Sequence, residues 1–202
     1  MYKFKLKYIS TLIIIVSMLL ISHFSVFANE EAPNEYPIIR SVTDYAYPVE
    51  NFNDLDNPSN IIIKATVLPD SENIMLDDIW GYTKTKLKVN KVYQGDIEEE
   101  TIIYLREPYY HLVYVDGDEF DVFENNYDKC EVDREYIFFL GRYIGTDLYG
   151  LANGELGRYP VLKETRGITP DVDSLSNEDL DLGENDTTMY REIYNEVLKK
   201  YN

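Results

Sequence analysis

Reactive side chains are scarce in this chain. Its 202 residues include one cysteine, two histidines and one tryptophan. A lone thiol, Cys130, rules out an internal disulfide framework and any cysteine-rich zinc site. Basic residues are short as well: 19 lysines plus arginines stand against 37 aspartates plus glutamates, for a formal charge of −18. Phosphate recognition needs a basic surface, so nucleic acid and anionic membranes are not expected as partners. No repeat of fixed period is present. Apolar surface, by contrast, is plentiful. The chain is 45% hydrophobic and 14% aromatic, with 19 tyrosines. That is too much for a wholly disordered polymer and enough, at this length, for one domain with its own core.

The N-terminus carries the clearest local pattern. Lys3, Lys5 and Lys7 form a cationic start without an acid, and Ile9 to Phe27 is almost wholly apolar. Val26-Phe27-Ala28 places small or modest side chains before a cut after Ala28. Residues 1–28 therefore read as a secretory signal peptide. The same apolar run is long enough to span a bilayer as an uncleaved anchor, which is the alternative. Cleavage predicts a secreted protein, free or held at the cell surface, with no membrane segment afterwards. It also removes His23, leaving His111 as the one imidazole and Cys130 as the one thiol.

Residues 29–58 contain Pro33, Pro37, Pro48 and Pro58 among many acids and asparagines. Prolines so spaced block long helices and central strands, so an extended leader is expected, with one helical turn near Phe52 to Leu55. A barrel domain is expected over 59–170. Its strands are read at Ile61–Leu68, Tyr82–Tyr93, Thr101–Arg106, Tyr136–Leu140, Asp147–Leu151 and Leu156–Leu162. The last two are expected to form a hairpin around Asn153-Gly154. Residues 171–186 hold Asp171, Asp173, Glu178, Asp179, Asp181, Glu184 and Asp186 without a base, and read as a solvated acidic linker. In residues 187–202, Tyr190, Ile193, Tyr194, Val197, Leu198 and Tyr201 recur at helical spacing, with Asp186 as a plausible N-cap and Lys199 and Lys200 at the end the dipole favours. This stripe is expected to pack on the sheet or to dock on another protein.

The segments IIIKATV, YTKTKLKVNKVYQGD, TIIYLRE, REYIFFLG and LYGLANGELGRYPVL together resemble secreted OB-fold barrels of the netrin-like or TIMP-like type found in bacterial exported proteins, over about residues 59–165. The resemblance implies a mainly β fold: a small OB-like antiparallel barrel of about five to six strands with a C-terminal α-helix. It does not imply a shared activity. Inhibitors of that family chelate a protease zinc through a cysteine at the mature N-terminus. Here the start is expected at Asn29-Glu30-Glu31, so that activity is not carried over.

Three chemistries have candidate residues. Calcium takes six to eight oxygens, and Asp116, Asp118, Asp121 and Asp128 cluster in sequence, although without the glycine and closing glutamate of an EF-hand loop. Tyr104, Tyr109, Tyr110 and Tyr114 are candidates for an aromatic ligand platform. A Cys130–His111 pair, oriented by Asp128 or Glu131, or two of the many carboxylates, would be needed for hydrolysis; no local motif surrounds them. The expected function is a non-enzymatic, exported binding or interaction module without a cofactor. Its partner would be an extracellular protein or a cell-wall component. A calcium-stabilised surface protein and an extracellular hydrolase are the alternatives.

Overall fold

Alternation of side chains sets the architecture. In β2 (Ile61–Val67) residues 61, 63, 65 and 67 turn to one side and are buried, and Ile62 is buried on the other. The computed structural model of the protein describes residues 36–162 and 171–201, so the expected signal segment 1–28 lies outside the described residues. Every element below belongs to the unit Pro37–Asn202.

The remaining elements are β1 (Ile38–Ser41), α1 (Phe52–Asp56), β3 (Glu72–Met75), β4 (Gly81–Gln94), β5 (Ile102–Glu107), β6 (Tyr109–Val113), β7 (Glu119–Glu124), β8 (Glu135–Arg142), β9 (Leu148–Leu151), β10 (Arg158–Pro160) and α2 (Thr188–Tyr201). Strands β2, β4, β5, β9 and β8 close into a five-stranded barrel, because β8 pairs with β2 as well as with β9. The closing β5–β9 pair is parallel, which makes the barrel mixed where an antiparallel one was expected. This strand order is compatible with an OB-like barrel. Two register shifts in β2 against β4 bend the long β4 as it wraps from one partner to the next.

The barrel interior is filled by Ile63, Ala65, Val67, Leu87, Val89, Ile103, Leu105, Tyr136, Phe138 and Leu140. A second core lies outside it. Ile62, Ile137, Phe139 and Tyr159 face outward and meet Tyr190, Ile193, Tyr194, Val197 and Tyr201 of α2. The run 136–140 is thus apolar throughout because each of its faces has a core to enter. The helix packs on the sheet, and Thr188 N–H donates to Asp186 at 2.9 Å to hold its first turn.

Three expectations change. The segment 147–162 is not a hairpin: β9 and β10 both pair with β8, end to end, across a 3-10 turn at Gly154–Gly157. Asn153 starts that turn in the left-handed region (φ 56°). Residues 171–186 do not act as a free linker. Val172, Leu180, Asp181 and Leu182 are buried, and Leu182 bridges to Tyr127. Finally, the acidic stretch around Asp116-Gly117 is a hairpin, β6–β7, which joins β1 in a second, three-stranded sheet. Strand alternation there is masked by acids on the exposed edges, so the sequence reads as a loop.

Candidate functional site

The outer face of β4 and β5 is where the few cations of the barrel gather. Tyr82, Lys84, Lys86 and Lys88 alternate outward on β4, and Tyr104 and Arg106 do so on β5. Strand register sets Lys84 opposite Arg106 and Lys86 opposite Tyr104. The lysines are matched by acids at the loop ends: Lys84 with Asp147 at 3.8 Å, Lys86 with Asp70 at 3.7 Å and Lys88 with Glu100 at 2.7 Å. Lys84 also lies 4.0 Å from the Tyr104 ring centroid.

Arg106 differs from its neighbours. Its guanidinium carbon sits 4.6 Å from the Tyr82 ring centroid and 5.4 Å from that of Tyr143, which enters from the β8–β9 loop. Its side chain has no hydrogen bond or ion pair among the described residues. Gly150 is its register partner on β9, and Tyr143 lies over that glycine so closely that an added Cβ would stand 2.8 Å from the ring. The absence of a side chain at 150 is what lets the tyrosine reach Arg106.

Arg106, Tyr82 and Tyr143 line a cleft of about 220 Å³ together with Thr43, Asp44, Tyr45, Glu124, Asn125 and Asn153. Two left-handed asparagines fasten residues 43–47, a strap that lines it. Asn125 (φ 52°) accepts from the Thr43 N–H at 2.9 Å, and Asn153 (φ 56°) donates to the Tyr47 carbonyl at 2.7 Å. Tyr45 donates its hydroxyl to Glu155 at 2.5 Å. Burial raises the Glu155 carboxyl above its usual 4.5, so the folded chain holds that proton more tightly than the unfolded chain. The stability this confers is complete below about pH 4.5 and is lost as pH rises through the folded-state pKa. Glu155→Gln keeps an acceptor for Tyr45 and removes the buried charge. The variant should melt higher than the parent at pH 7.5 and equally at pH 4. Scanning calorimetry at the two pH values checks this; equal melting at both, or a loss at pH 7.5, contradicts it.

A second polar cluster closes one end of the barrel. Glu107, nearly fully buried, accepts from Thr85 Oγ1, from Tyr127 Oη and, at 2.9 Å, from the Cys130 N–H. The Cys130 thiol faces Tyr127 at 3.3 Å, and burial pushes its pKa up, with the Glu107 charge adding to the effect. The thiolate is the reactive form, so Cys130 is held inert. Ellman's reagent should leave it unmodified in the native protein and titrate one thiol after unfolding; rapid reaction in the native state would contradict the burial. His111, on β6, directs Nδ1 to Asp121 at 3.0 Å and Nε2 to Glu119 at 3.3 Å. The structure does not bring it together with Cys130.

The other sequence candidates disperse. Tyr104 is on the cation-bearing face. Tyr109 stacks on Phe123 at 5.5 Å, Tyr110 is buried with its hydroxyl donating to Ile79 O at 2.7 Å, and Tyr114 meets Phe120 edge-on at 5.7 Å. Tyr109 and Tyr110, neighbours on β6, point to opposite faces, Tyr104 is on β5 and Tyr114 lies beyond the end of β6, so these four form no single platform. Asp116 and Asp118 flank the hairpin turn, Asp121 faces His111, and Asp128 lies 3.7 Å from Arg40. Among the described residues no group of three or more His, Cys, Asp or Glu could hold a metal ion. Nor is any described helix long and apolar enough to cross a membrane. Sequence reasoning missed Tyr82, Arg106 and Tyr143. The alternation Tyr82-Thr83-Lys84-Thr85-Lys86 shows the first lies on an outer face, but Tyr143 meets Arg106 only because the barrel closes.

Comparison of the chain with known protein families found no match, and comparison with curated proteins found none.

Proposed function

We propose that the protein is a non-enzymatic binding module working outside the cytoplasm, and that its barrel seats the acidic group of a small polar ligand on Arg106. One observation carries the reading: a guanidinium stacked between two tyrosines, lining a cleft and lacking an acidic partner among the described residues, in a chain with a large excess of acids. Such a group offers planar, forked donors suited to carboxylate or phosphate. Its place agrees with the usage of OB-type barrels, which bind ligands on strands two and three and the loops around them. Counted within the barrel, Tyr82 is on the second strand, Arg106 on the third, and Tyr143 in the loop between the fourth and fifth.

Export rests on the cationic and apolar pattern of residues 3–28, and a netrin-like or TIMP-like kinship on the strand motifs. The absence of catalysis is supported by the separation of His111 from an inert Cys130. A cell-wall component or an extracellular protein presenting an acidic end group fits the site. The test is amide shift mapping of the ¹⁵N-labelled protein against a set of small carboxylates and phosphates. Shifts should centre on Tyr82, Arg106 and Tyr143, and Arg106→Gln should weaken binding about tenfold or more. Binding elsewhere, or equal binding by the variant, would overturn the reading.

A further inference from the structure

The charges around the cleft narrow its ligand, and this inference rests on the cleft being the binding site. Asp44 and Glu124 line the same cleft as Arg106. Among the described residues the Glu124 carboxylate accepts only a long hydrogen bond, from Thr43 Oγ1 at 3.4 Å. Among the described residues neither carboxylate has a cation within 4.0 Å, and Arg106 has no carboxylate within that distance. A cation and two anions thus share one cleft without pairing with one another. They are held on separate elements: β5 for Arg106, the end of β7 for Glu124, and the strap for Asp44.

A further acceptor lies in the same lining. Asn153 is 4% exposed, its amide N–H group is taken by Tyr47, and its Oδ1 has no partner among the described residues. Because that Oδ1 is buried, the acceptors the cleft itself presents beside the Arg106 donors are the Glu124 and Asp44 carboxylates. Its size, about 220 Å³, is below the roughly 300–1,000 Å³ of pockets for drug-sized ligands. Three tyrosine rings, 45, 82 and 143, supply the apolar walls.

We infer that the ligand is a zwitterion of amino-acid size, free or as the end residue of a longer molecule. Its carboxylate sits on Arg106, and its ammonium lies among Glu124, Asp44 and the tyrosine rings. A simple anion would satisfy Arg106 and meet the field of two carboxylates; a zwitterion meets both signs. Aromatic faces also favour an ammonium group.

The probes are alanine, propionate and ethylamine, titrated into the labelled protein and read at the amides of Arg106, Tyr143 and Asn125. Alanine should bind at least about tenfold more tightly than propionate or ethylamine. Glu124→Gln should reduce alanine to the affinity of propionate, and Arg106→Gln should reduce it to that of ethylamine. Each variant's unliganded spectrum reports whether it is folded. If propionate equals alanine and Glu124→Gln changes nothing, the ligand is a plain anion: this inference falls and the reading of the cleft stands. If none of the three probes moves these resonances, the site and the inference fall together.

Discussion

Replacing Arg158 with alanine should cost about 3–5 kcal/mol of folding stability, the range for breaking a buried ion pair from one side. Arg158 is fully buried. Its Nη1 meets Asp181 at 3.3 Å, and its Nη2 donates to the carbonyl of Asp128 at 2.5 Å and to that of Asp181. The guanidinium also lies 4.2 Å from the Tyr127 ring centroid. One side chain thereby ties β10 to the 125–130 loop and to the 171–186 segment. Removing it orphans the Asp128 carbonyl, leaves the Asp181 carbonyl with the Asp128 N–H (3.2 Å) alone, and leaves the Asp181 carboxylate with Arg134 (2.9 Å) and the Tyr136 hydroxyl (2.6 Å) alone. Burial already holds the Asp181 carboxyl above its usual value despite Arg158. Its stabilising contribution is therefore present at low pH and lost as pH rises through the folded-state pKa. Without Arg158 that loss deepens, so the penalty in Arg158→Ala should be larger at pH 7 than at pH 4.5. Urea titrations at both pH values measure it. A cost under about 1 kcal/mol, typical of an exposed pair, would contradict the burial of this node.

The second large effect belongs to Phe139. It is fully buried on the outer face of β8 and meets Phe52, Tyr159 and Tyr201 at centroid distances of 6.4, 5.9 and 5.8 Å, each near edge-on. These three rings come from α1, β10 and α2, so the side chain is the common contact between the barrel and both helices. Phe139→Ala should cost about 3–5 kcal/mol. Because the barrel interior is a separate cluster, amide exchange should speed up first in Thr188–Tyr201 and only later in β2 and β4. Uniform acceleration across the chain would show that the two cores are one cooperative unit, and would contradict their separation.

The barrel was legible because its strands carry the pattern that closure demands. Alternation in 82–93, a doubly apolar run in 136–140 and a helical stripe in 190–201 each name the face that must be buried. The parts that were not legible depend on partners far away in sequence. Val172 and Leu180 sit among acids, and nothing local says that a core will receive them. The 116–128 stretch looks like an acidic loop, yet β7 is a strand because β1 and β6 flank it. The site follows the same logic. Arg106 could be placed on an outer strand face beside Tyr82 of its hairpin partner β4, but Tyr143 comes from the β8–β9 loop and meets it only when β5 and β9 close the barrel in parallel. Tyr109 and Tyr110, adjacent in sequence, are parted by the alternation of β6, and Tyr114 lies beyond its end.

The proposed role of Arg106 as receptor for an acidic group is reported most directly by its own side-chain Nε–Hε resonance. Addition of propionate or alanine should move that resonance downfield in a saturable way, with the Tyr143 ring signals following the same curve. A resonance that stays in place while other parts of the protein respond to the same ligand would contradict the account.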